Sequence, residues 1–242
     1  MTGMVKGTFI VLFGVGMLAG PATAAVLQSG HADLGLGYEE GWDLHIHVEH
    51  GMVDGLPVID EEYEPDALII LVPNKLLGGR PAGAAWDPIG NGAAADTWLL
   101  SAVQQVGMPF VGIGAEEIAP GGFVNDELTL TLTQVVSPSG AGHFALYTTD
   151  GFGQPQFGMS SYEGGITAAD AITVPAGGHL HFNYSFTELG LWAITFEASG
   201  THSVDGPTAG SGTYYFHVVP EPATLALLGL GIVLAGRRGK AR

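Results

Sequence analysis

The chain of 242 residues contains no cysteine. Disulfide staples and thiolate chemistry are therefore excluded, and any metal must be held by imidazole, carboxylate or backbone oxygen. Positive charge is nearly as scarce: 7 Lys and Arg stand against 24 Asp and Glu, for a formal net charge of −17. The distribution is more lopsided than the total. Lys6, Arg237, Arg238, Lys240 and Arg242 lie near the two ends, and only Lys75 and Arg80 lie between them, amid every acidic residue except Glu221. Such a surface repels nucleic acid and anionic lipid and attracts cations. Helical periodicity is almost missing too. There is no His-Glu-x-x-His, no Gly-x-Ser-x-Gly and no phosphate loop, so the common hydrolase and nucleotide-binding signatures are absent.

What is present is glycine, 39 residues of it, punctuating short apolar runs. Strand-like runs recur at 43–49, 67–72, 109–113, 128–136, 143–147, 179–186, 192–198 and 213–219. Leu128-Thr129-Leu130-Thr131-Leu132-Thr133 alternates strictly, which places leucine inward and threonine outward. Many short strands bounded by Gly, Pro, Asn and Asp predict an all-β fold, an Ig-like antiparallel β-sandwich. Two glycine-rich stretches, 74–95 and 147–171, are expected to be long loops, and 97–105 is the best helix candidate. Trp42, Tyr184, Phe186, Trp192, Phe196, Tyr214 and Phe216 fall at strand spacing and are read mainly as core.

The ends read as addresses. Residues 1–25 form a secretory signal: Lys6 supplies positive charge, 8–18 is an apolar run expected to be helical, and Ala22-Thr23-Ala24 is a small-x-small cleavage site. Residues 26–219 are then the exported domain, read as a single unit. The tail, 220–242, runs Pro220-Glu221-Pro222, an apolar stretch 223–236 expected to form a hydrophobic sorting helix, and Arg237-Arg238-Gly239-Lys240. The apolar stretch is shorter than the ~20 residues of a full membrane span, and the basic cluster favours the cytoplasmic side. This tripartite tail resembles the PEP-CTERM sorting signal. The resemblance implies a bacterium with a Gram-negative envelope, processing by an exosortase near Pro220-Glu221-Pro222, delivery to the surface or extracellular polysaccharide, and membrane contact only through the tail.

Histidine carries the chemistry. On a strand, Asp43, His45, His47 and Glu49 share one face, with neighbours about 7 Å apart, while Leu44, Ile46 and Val48 share the other. A second pair, His179-Leu180-His181, comes late. Paired imidazoles on strands suit a divalent ion, zinc above all, which takes four ligands with Zn–N near ~2.0–2.1 Å. The expected ligands are His45, His47, His179 and His181, with His31, Asp43, Glu49 or His50 as substitutes or supports. His217 is a further candidate to approach, whereas His143 and His202 are read as structural or exposed. The string His45-Ile46-His47-Val48-Glu49-His50 is one residue away from the His-x-His-x-Asp-His signature of metallo-β-lactamase-type hydrolases. Glu49 stands where Asp belongs, and the covering helices of that fold are missing. The acidic run 60–66 lacks EF-hand spacing and reads as a solvated turn.

The run Gly178-His179-Leu180-His181-Phe182-Asn183-Tyr184-Ser185-Phe186-Thr187, continued by Gly190-Leu191-Trp192-Ala193-Ile194-Thr195-Phe196, resembles bacterial surface-anchored protein domains of the choice-of-anchor type. His31-Ala32-Asp33-Leu34-Gly35-Leu36-Gly37-Tyr38, Trp42-Asp43-Leu44-His45-Ile46-His47 and Glu62-Tyr63-Glu64-Pro65-Asp66 resemble the Zur-repressed subset with a PEP-CTERM tail. Repression by a zinc sensor implies use under zinc shortage. The expectation is a non-enzymatic surface protein that captures or retains zinc. The alternatives are a structural or adhesive matrix protein with incidental histidines, and a metallohydrolase.

Overall fold

The computed structural model describes residues 24–162 and 164–220. Apart from Ala24, Ala25 and Pro220, the predicted signal segment and sorting tail lie outside the described residues; Ala25, expected to close the signal segment, instead opens the first strand. Among the described residues no helix is long and apolar enough to cross a membrane. The fold is all-β. The strands are β1 (Ala25–Tyr38), β2 (Trp42–Val53), β3 (Leu56–Tyr63), β4 (Leu68–Val72), β5 (Trp98–Leu100), β6 (Pro109–Gly114), β7 (Glu127–Val136), β8 (Phe144–Thr149), β9 (Pro155–Ser160), β10 (Ala171–Pro175), β11 (His179–His181), β12 (Asn183–Phe186), β13 (Gly190–His202) and β14 (Gly206–Val218).

Ten strands form a curled sheet in the order β10-β7-β13-β14-β4-β1-β2-β3, with β6 on β1 and β11 on β6. A four-stranded sheet, β5-β12-β8-β9, packs against it. Between them lies a core drawn from Leu27 to Val218. Tyr184 and Phe186 of the small sheet meet Phe216 of the large one, with ring centroids 6.0 and 5.4 Å apart. Leu128, Leu130 and Leu132 are buried as their alternation predicts. Six of the seven aromatics read as core are fully buried; Trp42 is half-buried.

The sandwich departs from expectation in five respects. It is not purely antiparallel: β1 runs parallel to β4 and β6, and β14 parallel to β4. The helix candidate 97–105 holds no helix: Trp98–Leu100 is strand β5 and 101–105 is irregular. Trp98 and Leu100 face the main core, while Leu99 joins a second apolar cluster with Ile89 and Tyr147. Residues buried on both faces of a strand give a continuous apolar run, which periodicity cannot separate from helix. The loop before β5 supplies that outer cover through a 3-10 turn, Ala84–Ile89. The stretch 147–171 contains β9, and the acidic run 60–66 begins inside β3. Finally, 179–186 divides at Phe182, β11 joining the large sheet and β12 the small one.

β1 organises the region of interest. It pairs along one edge with β2 and along the other with β4 and then β6. Ala32, Leu34 and Leu36 point to the core, as do Leu44, Ile46 and Val48 of β2 and Val111 and Ile113 of β6. The opposite face carries His31, Asp33, Gly35 and Gly37 on β1, His45, His47 and Glu49 on β2, Gly112 and Gly114 on β6, and His179 and His181 on β11.

Candidate metal centre

Strand register arranges these polar residues in rows. One row reads Glu62, His47, Asp33, Gly112, His181 across β3, β2, β1, β6 and β11. The next reads His45, Gly35, Gly114, His179. A third reads His50, His31, Phe110. Strands two apart are separated by roughly 9–10 Å, too far for ordinary cross-strand pairs. Glycine removes the obstacle. A Cβ at Gly112 would overlap Asp33 Oδ1 and His179 Nε2. With no side chain there, His179 leans over β6 and its Nε2 lies 2.7 Å from Asp33 Oδ1.

Three imidazoles converge as a result. The ring of His31 lies 5.3 Å from that of His179 and 5.2 Å from that of His181, and those two are 4.5 Å apart. Each of the three offers a nitrogen within 4.8 Å of the others'. His181 is stacked on Phe110 at 3.9 Å, which fixes its plane. A bulge brings in two more groups: His31 pairs with His50 and Ala32 with Val48, so Glu49 is an extra residue in β2. Glu49 Oε2 reaches His31 Nδ1 at 2.8 Å, and the His50 ring stands 6.2 Å from that of His31. Glu116, in the turn after β6, approaches His179 Nδ1 at 3.2 Å.

The electrostatics are those of a partly desolvated histidine–carboxylate network. Asp33 is only 2% exposed. Burial pushes its carboxyl up, but His31 and His179 outweigh this and hold it below the usual carboxylate range. The Asp33 carboxylate raises His31, against burial, with Glu49 adding to the rise. Burial, and then the neighbouring His179, hold His181 below the ordinary histidine value, which favours the neutral, ligating form. His31 Nε2 sits 3.5 Å from Asp33 Oδ1, too long for a full hydrogen bond, and both it and His181 Nδ1 are buried without a hydrogen-bond partner.

The two His-x-His pairs do not meet at one point. His179 and His181 gather with His31, whereas His45 gathers with Glu62 and Glu117, and His47 Nε2 takes Asp60 at 3.0 Å. The reason is topological: β1 and β6 lie between β2 and β11. Among the described residues, Asp43 joins no donor group. Nor does His217, on β14. His143 packs on Tyr162 and His202 pairs with Asp205. The residues that sequence reasoning passed over are Asp33, Glu62, Glu116, Glu117 and the glycines. The available signal was His31-Ala32-Asp33, a same-face pair inside an alternating run.

An open cleft of about 330 Å³ lies over this face, lined by Asp33, His45, His47, Glu49, Glu116 and Glu117 with Gly35, Leu36 and Gly114.

Comparison with known proteins speaks mainly to the tail. Residues 218–241 match the PEP-CTERM protein-sorting motif. The motif marks an exported, surface-sorted protein anchored transiently through its C-terminal tail, and it implies processing by an exosortase-type enzyme. No curated protein matches the sequence. One solved structure, described as "Structure of the N-terminal domain of PorA", aligns over 82% of this chain and 98% of its own at 12% identity and a TM-score of 0.26; a likeness that slight carries no argument here.

Proposed function

We propose that this exported protein captures a divalent metal outside the cell, zinc foremost, through His31, His179 and His181. The observation that supports this is the convergence of three imidazole nitrogens, within 4.8 Å of one another, from strands separated by glycine-bearing β6. Tetrahedral zinc sets its ligand nitrogens roughly 3.3 Å apart, a contraction that small side-chain rotations supply. Asp33, 2.7 Å from His179, and Glu116, 3.2 Å from it, are the carboxylates nearest the three histidines, and either would have to shift to supply a fourth donor, while Glu49 would orient His31 as carboxylates commonly orient metal-bound histidine. Nitrogen-rich sites suit zinc, copper and nickel over magnesium or calcium. The acidic surface raises the local concentration of cations. The likeness of the segments around His31, His45 and Glu62 to the Zur-repressed set, and of the 178–196 region to surface-anchored domains, fits the same role.

Binding rather than catalysis is the better reading. The string His45-Ile46-His47-Val48-Glu49-His50 is shared among different partners: Glu117 for His45, Asp60 for His47, and His31 for Glu49 and His50. A hydrolase of the kind it resembles needs those side chains around a common metal pair.

Calorimetric titration of zinc into the purified exported chain and its His179→Ala/His181→Ala variant tests this. A tight, near-stoichiometric event that weakens at least 100-fold in the variant, with the fold kept by circular dichroism, is expected. Equal binding by both would overturn the assignment and leave the matrix-protein alternative.

A further inference from the structure

We infer that the same face holds a second, separate cation site built from His45, Glu62 and Glu117, so that the chain takes two ions rather than one. This goes beyond the centre at His31, and it does not depend on it. The three residues offer donor atoms within 4.8 Å of one another. They come from three elements: His45 from β2, Glu62 from β3, and Glu117 from the turn after β6.

Two further observations point to a ligand. The first concerns His45, which is only 6% exposed. Its Nδ1 is buried with no hydrogen-bond partner, and its Nε2 stands 3.6 Å from Glu117 Oε1, beyond hydrogen-bond length. A buried imidazole left unmatched in this way is the kind of polar group that calls for explanation. The second is the floor beneath the site. A Cβ at Gly35 would overlap the His45 ring, and one at Gly37 would lie 3.0 Å from Glu117 Oε2. On β6, Gly112 lies in the same way beneath Asp33 and His179, and Gly114 beneath Glu116. Each donor group therefore has its own pair of glycines, two residues apart on one strand. The adjacent glutamates 116 and 117 divide between them, Glu116 toward His179 and Glu117 toward His45.

The two sites differ in chemistry. One imidazole with two carboxylates is harder than three imidazoles, and suits zinc, cobalt or manganese with less selectivity. Glu117 is half exposed, so its ordering opposes binding. Asp33 and Glu116 of the first group line the same cleft as His45 and Glu117, and two cations facing one cleft repel each other. The second ion should bind at least tenfold more weakly and fill last.

The test is titration of the full exported chain with zinc alone, and separately with cobalt, whose visible absorption reports coordination. Elemental analysis at saturation gives the stoichiometry. Two events and two ions per chain are expected. The exposed pair Glu62→Gln/Glu117→Gln should abolish the weaker event and leave the tighter one; His179→Ala/His181→Ala should do the reverse. One ion per chain, insensitive to Glu62→Gln/Glu117→Gln, overturns the second site while leaving the first intact. A single event lost only in the glutamate variant overturns the first and upholds the second. No binding in the wild type removes both.

Discussion

Replacing Gly112 with alanine isolates the role of the glycine floor. Gly112 sits in β6 without a left-handed φ, so alanine fits the backbone. Its added methyl, however, falls where Asp33 Oδ1 and His179 Nε2 now lie. Ordinary carbon contacts lie near ~3.5–4.0 Å, so each of those atoms must withdraw by roughly 1–2 Å. Metal sites tolerate roughly ±0.2 Å, so a displacement of that size removes His179 from productive geometry and separates Asp33 from the imidazoles. Disturbing one supporting group commonly costs about 10–100-fold in metal affinity; disturbing a ligand and its support together should cost at least ~100-fold, or roughly 2.7 kcal/mol. The clashing atoms are side-chain ends that can rotate toward the cleft, and alanine is favoured over glycine in a strand by about 0.5–1 kcal/mol. The melting temperature should therefore change by only a few degrees. Competition against a chromophoric chelator measures the affinity, and circular dichroism checks the fold. The reasoning is refuted if the variant is folded and binds zinc as the wild type does. Gly114→Ala is the internal control: the nearest atoms its methyl would meet belong to the exposed Glu116 carboxylate and, at ordinary distance, the Asp33 Cβ, so the loss there should stay below about tenfold for a flexible supporting group.

Two other outcomes follow from the same geometry. In the zinc-free protein His31 should titrate above the ordinary histidine value, because Asp33 favours its protonated form more than burial opposes it, and His181 below it. Zinc must displace the His31 proton, so affinity falls as pH drops through that raised pKa and continues to fall below it. Asp33→Asn should shift the His31 titration downward by NMR, and an unmoved titration would refute the assigned cause. In the core, Phe216 is fully buried between Tyr184 and Phe186. Phe216→Ala should cost about 3–5 kcal/mol, a melting decrease of roughly 6–20 °C for a domain of this size; a cost under ~1 kcal/mol by denaturant titration would mean that the two sheets do not rely on this contact.

Strands with a strict apolar alternation were legible from sequence. The runs at 43–49, 109–113, 128–136 and 192–198 all lie in strands, because their alternate large apolar side chains fill the core. β5 was not, because Trp98, Leu99 and Leu100 are covered on both sides by partners far away in the chain. The site was legible in part. The same-face placement of His45, His47 and Glu49, and of His179 and His181, follows from a period of two. Which pairs meet does not, since that depends on β1 and β6 being inserted between β2 and β11. Likewise the bulge that sets Glu49 and His50 beside His31 shifts the register by one residue, and no local pattern announces it.

β1 shows why the ligand set was the harder inference. Its outward positions include Gly35 and Gly37, and β6 repeats the spacing with Gly112 and Gly114. Read from sequence, such glycines look like punctuation between strands. The turn glycines Gly55 and Gly177 have a positive φ, which these four lack. They lie instead in extended backbone, between apolar residues that fill the core: Leu34 and Leu36 on β1, Val111 and Ile113 on β6. Their contribution is therefore steric. By leaving their strands bare they let side chains from more distant strands fold across the sheet and meet. In a chain with no cysteine, Gly-x-Gly set within an alternating apolar run marks a cleared face, and the histidines flanking it two strands apart are the ones to test as ligands.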